Sequence, residues 1–153
     1  MSSYDEMPGH LVRRLQQAAV AIFHAEVARA GYDMTPVQYA ALTAVRLNPG
    51  TDQATLAGLI AYDRTTITGV VDRLVQKGFL TRQPSKTDRR ARTLRVTERG
   101  HMALGEIQPA VEQAQQTMLK GLDKGESREF MRLLAKAVGA VNDLSRAPLK
   151  ATR

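Results

Sequence analysis

"LAGLIAYDRTTITGVVDRLVQKGFLTRQPSKTDRRARTLRVTERG", Leu56 to Gly100, decides how this 153-residue chain folds, because its apolar period changes partway along. Asp63 is a good N-cap for a helix ending at Gly78, in which Ile67, Val70, Val71 and Leu74 form one apolar stripe. The opposite face presents Thr65, Gly69, Asp72 and Gln76, flanked by Thr66, Thr68 and Arg73. Just before it, Asp52 starts a short helix with Leu56, Leu59 and Ile60 on its apolar side, and "AYDR" breaks the pattern. The spacing therefore predicts helices of about eight and fourteen residues joined by a four-residue turn, a helix-turn-helix layout. Beyond Gly78 the period becomes two. "FLTRQ" (Phe79–Gln83) and "RTLRVT" (Arg92–Thr97) alternate apolar with polar, and "PSKTDRRA" lies between them, so a β-hairpin with a long basic tip is expected.

Working outward, a first helix is expected from about Pro8 to Ala30, ended by Gly31. "TPVQ" (Thr35–Gln38) starts a second: Thr35 caps it, Pro36 takes the first helical position and Gln38 reaches back. On the other side, Thr97 caps a long helix carrying Met102, Leu104, Ile107, Val111, Met118 and Leu119, with a bend expected at Pro109. A last helix follows "LDKGES" and carries Phe130, Leu133, Leu134, Ala137, Val141 and Leu144; the tail "APLKATR" reads as frayed. The fold class is thus mainly α with a small β-hairpin wing. Long terminal helices with broad apolar faces need a partner, which suggests a helical dimerisation region built from residues 1–34 and 101–153 around a winged helix-turn-helix domain at 35–100.

Composition narrows the function. Apolar residues make up 43% of the chain, enough for a core, and there is no tryptophan and no cysteine. Disulfides, thiol redox switching and thiolate metal sites are therefore excluded. No apolar run approaches the length of a membrane span, and "MSSYDEMPGH" has no basic flank leading into an apolar stretch, so a cytoplasmic protein is expected. The histidines, His10, His24 and His101, have no metal-ligand spacing, and there is no phosphate loop and no nucleophile beside a base. Neither an enzyme nor a cofactor is implied.

Charge is concentrated. Of the formal +7, residues 62–99 carry ten basic and four acidic side chains, net +6. A focused positive field of this kind meets phosphate; an anionic membrane surface is the competing reading, but it requires a basic amphipathic helix that this segment lacks. The second helix of a helix-turn-helix fits the major groove, and a small, polar outer face lets its backbone approach the bases. Thr65, Thr66 and Thr68 suit that use, and equally suit the exposed first turn of any helix. Arg73 and Lys77 fall where the groove wall would be, and Arg64 either joins them or stays with the neighbouring helix. The hairpin would reach the adjacent minor groove, where guanidinium is favoured by the concentrated negative potential. On that reading Lys86, Asp88, Arg89 and Arg90 form the tip; Asp88 also suits a plain turn cap. Arg92, Arg95 and Arg99 stand between phosphate contact and simple solvation.

Taken in order, these pieces resemble the MarR family of winged helix-turn-helix transcription regulators, over roughly residues 10–145. The stretch holds a "VDRL…KG" helix end (Val71–Leu74, Lys77–Gly78), an "L-x-R" strand (Leu80–Arg82), a "D-x-R" wing tip (Asp88, Arg90) and "VT-x-x-G" (Val96–Gly100) where the family has "LT-x-x-G". The resemblance implies a homodimer on double-stranded DNA at a pseudo-palindromic operator, usually a repressor, relieved by a small anionic or aromatic effector. It also implies that Arg90 enters the minor groove and that Asp88 orients it through a charge-assisted pair. For the effector, His10, Arg14 and Gln17 on the first helix and Tyr39 on the second are the candidate contacts. The alternative is a ligand-independent architectural or adaptor winged-helix protein.

Overall fold

The helical periods of the sequence appear as six helices and one hairpin in the computed structural model, which describes residues 3–88 and 90–150. The helices are α1 (Pro8–Arg29), α2 (Pro36–Leu47), α3 (Gln53–Leu59), α4 (Arg64–Gln76), α5 (Glu98–Met118) and α6 (Lys124–Ala140). Strands β1 (Leu80–Pro84) and β2 (Arg92–Val96) pair antiparallel between α4 and α5, with Leu80 opposite Val96 and Pro84 opposite Arg92. Single 3-10 turns flank the bundle at Tyr4–Glu6 and Asn142–Leu144.

Local chemistry sets the helix starts. Thr35 Oγ1 accepts from the Gln38 amide at 3.1 Å, while Gln38 Oε1 accepts from the Thr35 amide, closing the box expected from "TPVQ". Asp52, Asp63, Thr97 and Asp123 cap α3, α4, α5 and α6 through the same kind of bond, whereas α1 starts at Pro8 without a side-chain cap. Each such cap contributes about 1 kcal/mol. Gly78 ends α4 with φ +80, a backbone that a side chain would strain, and so turns the chain into β1.

The stripe on α4 is buried as its spacing requires. Ile67, Val70, Val71 and Leu74 pack in one cluster with Ala41, Leu42 and Val45 of α2, Leu56 of α3, and Leu80 and Leu94 of the hairpin. That cluster continues without a break into Phe23 and Val27 of α1 and Leu104, Ile107 and Val111 of α5. The hairpin is held by more than its own ladder. Leu94 donates to the carbonyl of Thr51 at 2.8 Å and accepts from the Gly50 amide at 2.9 Å, which stitches β2 to the α2–α3 loop.

Three expectations are corrected. Met102 is 63% exposed, because on a helix whose inward positions are Ala103, Leu104 and Ile107 it lies one 100° step to the side. Val141 and Leu144 are not part of α6, which ends at Ala140; both are exposed. The tail is not frayed through Lys150: the Lys150 amide donates to the Gly58 carbonyl at 2.8 Å. The chain runs helically through Pro109 as part of α5. No residue of α6 is buried, and Met131, Leu133 and Val138 on it are exposed, as are Leu11 and Val12 on α1.

Candidate nucleic-acid interface

The turn between α3 and α4 positions the outward face of α4. Ala61 takes a left-handed backbone, φ +54, and the Tyr62 amide donates back to Ala57 at 2.9 Å. Asp63 then caps α4. Its Oδ1 accepts from the Thr66 amide at 2.8 Å and from the hydroxyls of Thr65 (2.7 Å) and Thr66 (2.6 Å). These hydroxyl bonds, with the amide bond after them, hold the Asp63 carboxyl far below the usual carboxylate range. Thr65 and Thr66 thus have a local role, yet both are exposed and retain acceptor capacity and a methyl. Thr68 accepts from Gln53 Nε2 of α3 at 3.4 Å, bridging the two helices. Arg64, Gly69 and Arg73 are exposed on the same side. Lys77 departs from expectation. Its Nζ donates to Gln38 Oε1 at 3.0 Å and to the Asp33 carbonyl, so it ties the end of α4 to the start of α2.

The wing tip is closed by its own side chains. Ser85 Oγ accepts from the amides of Thr87 (3.2 Å) and Asp88 (3.3 Å), and Asp88 Oδ1 accepts from the Arg90 amide at 3.0 Å. Asp88 therefore acts on the Arg90 backbone as a turn cap; no side-chain pair between the two occurs among the described residues. Lys86, Arg90 and Arg92 are exposed. Arg89, the remaining tip residue singled out from sequence, lies outside the described residues. Of the undecided arginines, Arg95 lies over Gly50, where an added Cβ would meet its guanidinium at 3.4 Å. Arg99 places its guanidinium 5.9 Å from the centre of the Phe79 ring. Both are exposed.

One contact that the sequence reading missed joins wing to helix. Arg82 of β1 donates from Nη2 to Asp72 Oδ1 on the exposed face of α4. Between α3, α4 and the wing lies a cleft of about 620 Å³ lined by Asp52, Gln53, Thr68, Arg82, Arg90 and Arg92. Arg82 is neutralised by Asp72 and Asp52 caps α3, so Arg90 and Arg92 leave that concave surface net positive, as a phosphate backbone requires.

The four effector candidates lie along α1 and at its seam with α2. His10 is half-buried against Tyr4, with ring centres 4.4 Å apart, and Arg13 links it to Gln17 through bonds of 3.2 and 3.4 Å. Arg14 is exposed on α1, and Tyr39 packs on Phe23 at the α1–α2 seam, 6.0 Å between ring centres. A separate cavity of about 450 Å³ opens near the base of α5, lined by Tyr32, Asp33, Lys77, Phe79, Arg99 and Met102. At its edge the Tyr32 hydroxyl donates to Glu106, and that hydrogen bond raises the Tyr32 pKa above its ordinary value.

The sequence and fold are similar to those of known transcription regulators. Residues 34–91 match the model of the MarR family. The HTH-type transcriptional repressor NicR of Pseudomonas putida is 31% identical over 137 residues, covering 88% of this chain and 85% of NicR. The transcriptional regulator PcaV of Streptomyces coelicolor, solved with its natural ligand, superposes with a TM-score of 0.82 at 33% identity, covering 92% of this chain and 99% of that one. BpsR of Bordetella bronchiseptica, whose DNA binding is regulated by 6-hydroxynicotinic acid, gives a TM-score of 0.82 at 29% identity, over 90% of this chain and 96% of the other.

Proposed function

Because the chain belongs to the MarR family of transcription regulators, we propose that it works as a homodimeric repressor that grips a pseudo-palindromic operator and is released by a small aromatic acid. The observation that carries this reading is the positive cleft between α4 and the wing. In this reading α4 enters the major groove with Thr65, Thr66 and Thr68 toward the bases, while Arg64 and Arg73 meet phosphates. Lys86, Arg89 and Arg90 follow the backbone into the adjacent minor groove, and Asp88 keeps the turn that presents them. The family is one of regulators, not enzymes, and no helix among the described residues is long and apolar enough to cross a membrane. We place the protein in the cytoplasm, where its DNA is.

The exposed apolar faces of α1 and α6 support dimerisation, with residues 1–34 and 101–153 as the shared region, apart from the tail at 145–150 that docks on α3, and 35–100 as each DNA-binding lobe. Two lobes must set their recognition helices about 34 Å apart to enter successive major grooves. An effector acts by binding the non-matching arrangement more tightly than the matching one. The relative regulated by 6-hydroxynicotinic acid supports an aromatic acid as the effector class, and Arg14 is the cation on α1 that we assign to its carboxylate.

Electrophoretic mobility shifts on a duplex selected by the full chain test this reading, with and without 6-hydroxynicotinic and hydroxybenzoic acids. A retarded band that one of these acids dissolves is expected. A band indifferent to every acid would overturn the release mechanism. Equal competition by random duplex would overturn operator recognition and leave an architectural protein.

A further inference from the structure

The C-terminal segment was expected to be loose, and it is instead docked beside the start of the recognition helix. The Lys150 amide bonds the Gly58 carbonyl of α3, and the Lys150 stem covers Gly58 so closely that an added Cβ would sit 3.1 Å from Lys150 Cβ. Asn142 braces the return: its Oδ1 accepts from the Leu149 amide at 2.9 Å and its Nδ2 donates to the Leu149 carbonyl at 3.1 Å. Ser145 Oγ accepts from the Ala147 amide at 3.1 Å, and Ala147 and Pro148 are half-buried. The segment therefore has a built path. It delivers Arg146 and Lys150 to a shallow cavity shared with Tyr62, Asp63 and Arg64.

The position is chemically pointed. The N-terminal end of a recognition helix is the part that goes deepest into the groove, so phosphates flank it. Here that end carries the ionised Asp63, which repels phosphate. Arg146 lies 3.7 Å from Asp63 Oδ2 with its side chain 90% exposed, so it offsets that charge while its guanidinium faces outward. Arg64, Arg146 and Lys150 together turn the locus from acidic to basic. Resting on the DNA-reading role argued above, we propose that residues 145–150 form an arm that contacts DNA phosphates beside the start of α4, with Arg146 and Lys150 as the contacting groups.

The test measures affinity against salt concentration for the full chain on its selected duplex. Wild type, the double variant Arg146→Ala/Lys150→Ala, the charge-retaining Arg146→Lys/Lys150→Arg, and Gly58→Ala are compared, with Arg90→Ala as reference. Each phosphate contact adds about 0.9 to the slope of log affinity on log salt. The double alanine variant is expected to lose one to about two of that slope per bound protomer, and to bind about threefold to tenfold more weakly, with an unchanged melting midpoint. The charge-retaining pair restores both. Gly58→Ala, whose added Cβ would push the Lys150 stem by a few tenths of an ångström without removing charge, is expected to shift both in the same direction as the alanine pair but by less. Wild-type slope and affinity in the alanine pair, with Arg90→Ala weakened, would overturn the arm alone. No binding by the wild-type chain would overturn the DNA-reading role and the arm with it.

Discussion

The Arg82 guanidinium on β1 is paired with the Asp72 carboxylate on α4, fastening the wing to the recognition helix. Arg82 is only 26% exposed and its Nε is buried without a partner, whereas Asp72 is 48% exposed. The pair therefore sets geometry more than it adds stability, since exposed pairs contribute about 0.2–1 kcal/mol. Asp72→Asn is expected to weaken DNA binding severalfold while the melting midpoint falls by no more than about 3 °C. Titration calorimetry and a thermal melt check this. A large loss of stability with DNA affinity intact would mean that the pair serves folding only.

Gly100 shows why the final glycine of "VT-x-x-G" stands where it does. A Cβ there would press into the Phe79 carbonyl and lie 2.7 Å from Val96 Cγ1. Thr97 locks the same joint: its hydroxyl donates to the Gly78 carbonyl at 2.6 Å and accepts from the Gly100 amide at 3.0 Å. Gly100→Ala is expected to cost about 2 kcal/mol, because backbone rather than a flexible side chain must give way. Denaturant unfolding measures it; a midpoint equal to wild type would show that the joint is looser than its contacts imply.

Asp63 makes the start of α4 acid-sensitive. Its carboxyl titrates below the ordinary aspartate value of about 3.9, so the charged form is the one that folding favours. The stabilisation it gives is complete above that ordinary value and is lost as pH falls below it. Asp63→Asn keeps a capping oxygen but not the charge. Melting profiles from pH 6 to pH 2 should fall less steeply for Asp63→Asn than for wild type. Parallel profiles would remove Asp63 from the acid response.

Effector release separates two locations. If the carboxylate sits at Arg14, Arg14→Ala should retain DNA binding within about twofold and lose release by aromatic acids, since a bond to a charged group is worth about 1.5–3 kcal/mol. If release instead fails in Arg99→Ala, the cavity beside Tyr32 and Phe79 is the effector site. Mobility shifts across a concentration series of the acid distinguish them.

How much of this was legible in the sequence depends on range. The caps at Thr35, Asp52, Asp63 and Thr97 were readable because cap and target amide are three residues apart. The α4 stripe was readable because burial repeats with the helical period. Side-chain partners across elements were not. Asp72 and Arg82 lie on either side of the Gly78 turn, and only the packing of α4 against β1 brings them together. Lys77 looked like a groove-wall cation until its partners on α2 and the preceding loop were in place. The tail's composition suggested fraying, and its docking depends on Gly58, more than eighty residues earlier. Asp88 was open between two roles, and the turn geometry favours the backbone cap.

The central claim is that α4 and the wing read DNA, and Arg90 at the exposed tip tests it most directly. Full-length Arg90→Ala and wild type should be compared for affinity on the selected duplex at one fixed salt concentration, with melting and oligomeric state measured alongside. At least about tenfold weaker binding is expected from the loss of a minor-groove guanidinium, with the fold and assembly unchanged. Unchanged affinity in a folded Arg90→Ala protein would contradict the account.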